Sequence, residues 1–192
     1  KRGKLPIMVG GTGLYIDGVI FDYAFLPPAP MEERGELQQL TVEQLRQRLA
    51  DQDIPLPMND RNPRHLIRAL ETNGAVPVKK GLRANTLILG IDKPKTEIQK
   101  RIDERVKAMI DQGLEDEARA MAQKYGWDAP GLSAVGYREW RQVGEAEATA
   151  GAIVRNTVQY AKRQRIWFKR NSHITWVKNS AETVKLLGNF LQ

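Results

Sequence analysis

The sequence contains no cysteine and only two histidines, His65 and His173, which lie far apart in the chain. Disulfides, thiolate metal sites and cysteine nucleophiles are thereby excluded together, and a histidine-based zinc site is not expected. Long apolar runs are missing too. None approaches the ~18 residues of a conventional membrane span, so no membrane partner is expected and cytoplasm is the default compartment. The opening residues, Lys1 to Pro6, are basic but precede no small-residue cleavage site and do not read as a secretory leader. There is no initiator methionine either, and an apolar stretch starts by residue 7. The expectation is a fragment whose earlier elements are absent.

What remains is a chain of 192 residues with a formal net charge of +7, long enough for one core, or one plus a small insertion. A basic balance favours a polyanionic partner. Its distribution is more informative than its total: residues 151–192 carry eight Lys or Arg against one acid, Glu182, whereas residues 101–150 carry ten acids against seven bases. The positive field is concentrated toward the end of the chain.

Residues 6–9, Pro-Ile-Met-Val, read as a short buried strand, followed by the turn Gly10-Gly11-Thr12-Gly13 and a helix over Leu14 to Ile20. Pro27-Pro28-Ala29-Pro30 is a stiff break. Leucine-spaced helices are expected over 31–40 and 42–50, with Thr41 an N-cap candidate for the second. Asn59, Asp60 and Asn62 are capping candidates for a further helix opening at Pro63, Asp60 being read as a cap in preference to a base or metal contact, with Leu66, Ile67 and Leu70 as the apolar stripe. Residues 86–91 read as a second buried strand, and 95–125 as a long helix with Gly113 as a candidate break. A helix over 145–169, a short strand around Ile174–Val177 and a closing helix over 181–190 complete the pattern. The fold class is α/β, with a parallel-sheet core formed by 1–22 and 86–192 and a mostly helical insertion over 23–85.

Glycines after a strand let backbone N–H groups approach an anion, and Thr12 adds a hydroxyl, yet the stretch is not GxxxxGK[ST]. A plain strand-to-helix turn is an equal reading. Arg101 and Arg105, four apart on one helix, could hold a diphosphate by forked bonds; they could equally be a solvated face paired with Glu97, Asp103 or Glu104. The helix carrying Arg155, Lys162, Arg163, Arg165, Lys169 and Arg170 among Tyr160, Trp167 and Phe168 combines backbone-contacting charge with stacking surfaces, although aromatics on a helix are more often core anchors. Asp17, Asp22, Asp60 and Asp92 are base or metal candidates only if they converge.

The ordered segments "PIMVGGTGLY", "NDRNPRHLIRALE", "KRIDERVKAMIDQGLEDEA", "AVGYREW" and "TVQYAKRQRIWFKR" together resemble the tRNA dimethylallyltransferases. The resemblance implies a P-loop NTPase-like core, of which this chain would hold only the C-terminal part, and an insertion that grips the tRNA anticodon stem-loop. It implies transfer of a dimethylallyl group from dimethylallyl diphosphate to N6 of the adenosine 3′-adjacent to the anticodon, aided by Mg2+, with the protein acting as a monomer. The family's nucleotide-binding phosphate loop and its aspartate base have no counterpart in these residues, so the chain alone is expected to be inactive. By position, Thr12 and Arg105 take catalytic roles, Gly10, Gly11, Thr12 and Arg105 the diphosphate, and Asp60, Arg61, Arg64, Arg68, Lys162, Arg163 and Arg165 the tRNA. No residue set for a protein-held metal is implied. The Asn59-Asp60-Arg61-Asn62-Pro63-Arg64 stretch is longer than the family's Asn-Asp-x-x-Arg, which leaves Arg61 and Arg64 both open for the arginine role, and Leu56-Pro57-Met58 replaces the usual preceding histidine. The alternatives are a P-loop nucleotide kinase or other phosphotransferase, and a non-enzymatic RNA-binding module.

Overall fold

The structure, a computed structural model, describes residues 3–142 and 145–192; Lys1 and Arg2 of the basic start lie outside the described residues. Two compact units form, one from the residues up to Gly10 together with Leu14–Thr86, the other from Gly11–Gly13 and Leu87–Gln192. The first unit therefore takes in residues 14–22, which were expected to belong with the sheet. Local bonding gives the reason: Lys80 and Arg83 donate backbone N–H groups to Phe21 and Ile20 at 3.0 and 2.9 Å, and their side chains both pair with Asp22 at 2.8 Å. The hydrogen bond from Lys80, reinforced by the charges of Lys80 and Arg83, holds the Asp22 carboxyl below its ordinary value.

In this first unit α1 (Gly13–Ile20), α2 (Met31–Gln38), α3 (Val42–Asp51) and α4 (Pro63–Glu71) are the regular elements. Thr41 starts α3 with a reciprocal capping box, its hydroxyl accepting from the Gln44 N–H while the Gln44 side chain accepts from Thr41. At α4 the cap is Asn62, with Pro63 in the first turn. Asp60 is not a cap: it pairs with Arg46 at 3.0 Å, because Asn62 already stands at the position that faces the free N–H groups. Leu37, Leu45, Leu49, Ile54, Leu66, Ile67 and Leu70 form one buried cluster; the helical spacing of these residues makes α3 and α4 amphipathic, and α2 contributes Leu37.

The second unit contains β1 (Ile88–Ile91), α5 (Lys95–Asp111), α6 (Leu114–Tyr125), α7 (Glu139–Gln142), α8 (Ala146–Phe168), β2 (Ile174–Val177) and α9 (Ser180–Phe190). β1 and β2 are parallel, with Ile88 opposite Ile174 and Ile91 opposite Val177. Parallel strands need a long crossover, and helices α5 to α8 supply it. Gly113 ends α5 at a φ of 91°, which only glycine adopts without cost, so the 95–125 segment is two helices. Gly151 does not interrupt α8. Ile102, Val106, Leu114, Ala118, Trp140 and Ile153 form the second buried cluster, with Val154, Val158 and Ala161 of α8 packed against it. None of the described helices is long and apolar enough to cross a membrane.

The strand expected at 6–9 does not form. These residues are irregular, with Ile7 79% and Val9 91% exposed. An apolar run becomes a strand only when a neighbour supplies ladder bonds; among the described residues the sheet consists of β1 and β2 alone. β1 is likewise only half-buried rather than fully covered.

Candidate functional site

The glycine turn is built against α8. Gln164 donates from Nε2 to the Gly11 carbonyl at 3.0 Å, and the indole of Trp167, one helical turn further on, lies directly under Gly13, where an added Cβ would overlap the ring. A Cβ on Gly11 would likewise overlap the Gln164 carboxamide. Neither glycine has a positive φ. Glycine is needed here for close approach, and the space it leaves is filled by α8. Thr12, between the two, is exposed.

Arg105 is exposed on α5, next to buried Val106. The acids that could neutralise it are otherwise engaged: Glu97 with Arg101 at 2.8 Å, Asp103 with Gln99 at 2.9 Å, and Glu104 with Lys100 at 3.8 Å. Of the two arginines on this face, Arg105 alone presents a guanidinium without an ion-pair partner among the described residues. Thr12 and Arg105 share no hydrogen bond, so what the structure establishes is each one's separate presentation.

The cations of α8 divide into two sets. Arg165 turns inward, pairing with Asp92 at 2.9 Å at the end of β1, so it braces the sheet to the helix. Arg163 lies 5.7 Å from the Tyr160 ring. Arg155, Lys162 and Lys169 are exposed and have no ion-pair partner among the described residues. Seven residues apart, they follow one line of the helix with steps of about 10 Å. This is an un-neutralised stripe suited to a phosphate backbone.

In the helical unit, Arg61, just before the Asn62 cap, and Arg64, in the first turn of α4, are exposed. Asp60 is occupied by Arg46. Arg68 donates to Glu71 at 3.0 Å and to the Leu26 carbonyl at 3.1 Å, and Arg34 approaches the same buried Glu71 at 3.5 Å. Its guanidinium is a brace for residues 26–27. The four aspartates do not converge: Asp22, Asp60 and Asp92 each have a basic partner, and Asp17 is buried in α1.

A further buried carboxylate, besides Asp17 and Glu71, lies in the AVGYREW segment. Glu139 accepts from the Gly136 N–H at 2.8 Å, from Asn156 at 2.7 Å and from Arg138 at 3.0 Å, and so fastens the Gly136–Glu139 turn to α8. Burial pushes its carboxyl upward, but these bonds outweigh that and hold it below the ordinary glutamate value. Its stabilising contribution is therefore present above about pH 4 and is lost as pH falls through the lower folded-state value. Glu139→Gln, which replaces an accepting oxygen by a donor facing other donors, should destabilise the protein by about 1.5–3 kcal/mol at pH 7. Urea unfolding at pH 7 and at pH 3 should show that penalty shrinking in acid.

A family model described as IPP transferase matches residues 1–171. The tRNA dimethylallyltransferase of Anoxybacillus flavithermus is 34% identical, with 96% of this chain and 64% of the relative aligned; that of Bacillus subtilis is 33% identical, covering 92% and 62%. The crystal structure of the full-length tRNA isopentenylpyrophosphate transferase from Bacillus halodurans superposes with a TM-score of 0.66 at 29% identity, over 99% of this chain and 66% of that one. The chain thus spans somewhat less than two thirds of the length of the curated relatives it matches.

Proposed function

This chain belongs to the IPP transferase family, and on that premise we propose that the protein carrying it transfers a dimethylallyl group from dimethylallyl diphosphate to N6 of the adenosine 3′-adjacent to the anticodon of a tRNA. N6 forms a bond to C1 of the dimethylallyl group, the C1–oxygen bond breaks, diphosphate leaves with the bonding electrons, and the N6 proton passes to a general base. The single observation that carries this reading is the match along nearly the whole chain to relatives named for that activity.

Within this reading Arg105 takes up charge developing on the diphosphate, and Thr12, preceded by Gly10 and Gly11, lines the reacting end. On the helical unit Arg61 and Arg64 contact tRNA phosphates, with Asp60 and Arg68 bracing the chain beside them; on the sheet unit Lys162 and Arg163 do so, with Arg165 bracing α8. The core is P-loop NTPase-like, the helical unit is the tRNA-gripping insertion, and the protein works as a monomer in the cytoplasm. Mg2+, implied by the family resemblance, finds no ready cage: no three acidic or histidine side chains come together among the described residues. No step is therefore routed through a metal held by this chain. Extruding the adenine from the loop would let cations grip the backbone while the reacting atoms lie in a pocket.

The reading is tested by incubating the full-length protein with unmodified tRNA, labelled dimethylallyl diphosphate and Mg2+. Label in the RNA supports it; phosphoryl transfer from ATP to a nucleotide, with no label in the RNA, would replace it by the kinase alternative. Binding provides a separate check on the α8 stripe. Lys162→Ala should weaken tRNA binding and reduce the slope of log K against log salt by about one contact. Equal slopes for the two proteins would remove Lys162 from the interface.

A further inference from the structure

Gly10–Thr12 have no regular hydrogen-bonded structure and Gly13 opens α1, yet Gly11–Gly13 cluster with the sheet unit while the residues on both sides cluster with the helical unit. What attaches these three residues to the sheet unit is α8. Gln164 holds the carbonyl of Gly11 and Trp167 supports Gly13 from beneath. Residues three apart lie on the same side of a helix, so one short face of α8 meets the two residues that bracket Thr12.

We propose that Gln164 and Trp167 are positioning residues: they fix the backbone of Gly11 and Gly13 and thereby aim the Thr12 hydroxyl and the neighbouring N–H groups at the diphosphate end of the substrate. The inference rests on the transferase reading for the task of Thr12, and on the geometry alone for what holds it. The two contacts have different stiffness. The Gln164 carboxamide is the end of a flexible side chain, so a methyl on Gly11 displaces it easily but breaks its bond to the Gly11 carbonyl. The Trp167 indole is a rigid plate, so a methyl on Gly13 must move either the ring or the turn. Small displacements of a positioning group reduce turnover strongly, by about 10²-fold for ~1 Å.

The test uses the full-length protein and the variants Gln164→Leu, Gly13→Ala, Trp167→Leu and the Gly13→Ala/Trp167→Leu double variant, with two readouts. Amide signals of Gly11, Thr12 and Gly13 in 15N NMR spectra report the turn; kcat and KM for tRNA and for dimethylallyl diphosphate report transfer. The expected result is displaced signals for those three amides, a kcat lowered by about 10- to 100-fold, and a KM for tRNA within about twofold of the parent. The double variant should be no worse than the worse of its two single variants, because one contact cannot be lost twice. Unmoved amides accompanied only by a lower melting temperature would overturn the proposal, since the two side chains would then be filling core. Displaced amides with unchanged kcat would overturn it equally, because the turn's exact placement would not matter to transfer. If the parent transfers nothing but the amides move as expected, the hold of α8 on the turn is upheld and the transferase reading is what fails.

Discussion

Replacing Arg105 by alanine is expected to lower the rate of dimethylallyl transfer by about 10²- to 10³-fold while leaving tRNA affinity within about twofold. The reason lies in how α5 is arranged. Ile102 and Val106 are buried, which fixes the helix rotation and with it the direction in which Arg105 leaves the surface. Glu97, Asp103 and Glu104 are all committed to other side chains. A guanidinium without an ion-pair partner among the described residues, permanently charged and forked, suits a leaving diphosphate whose negative charge grows as the C1–oxygen bond breaks. Arg105→Lys, which keeps the charge but loses the fork, should fall between the wild type and the alanine variant. Single-turnover rates measured beside tRNA filter binding separate the two effects. An equal loss in both would show that Arg105 grips the RNA.

The second large effect is on stability. Leu66→Ala, at a fully buried position in the cluster of α2, α3 and α4, should cost about 3–5 kcal/mol through lost burial and the cavity left behind. Domains of this size have a total stability of about 5–15 kcal/mol, so the helical unit would become marginal. Urea unfolding followed by circular dichroism measures the loss. A change below about 1 kcal/mol would mean that the cluster collapses around the gap or is not the unit's main support.

Local signals were legible where the physics is local. The Thr41 cap, Pro63 after an asparagine, and the candidate break at Gly113 each act within four residues; the first two form as expected, and at Gly113 the chain does divide into two helices. In α5 and α8 the apolar residues Ile98, Ile102, Val106, Met109 and Ile110, and Val154, Val158 and Ala161, recur three and four apart, and these are the residues that pack. Readings that depend on a distant partner fared worse. Residues 6–9 have the composition of a strand, but composition does not supply a neighbouring strand. Asp60 was a plausible cap until Arg46, fourteen residues earlier, took its carboxylate. Arg165 and Lys162 look alike in sequence, yet Asp92 draws one inward and leaves the other exposed. The role of Gln164 depends on a bond spanning 153 positions, which no spacing rule detects. The five ordered segments did carry the family, because each preserves a local reason for its residues and their order preserves the fold.

The most direct measurement is nucleoside analysis by mass spectrometry of an unmodified tRNA after incubation with the full-length protein, dimethylallyl diphosphate and Mg2+. The expected product is an N6-dimethylallyl adenosine at the position 3′ to the anticodon and nowhere else in the tRNA, with Arg105→Ala greatly reducing its yield. An unmodified adenosine at that position, under conditions in which the protein binds the tRNA, would contradict the proposed function and leave an RNA-binding module in its place.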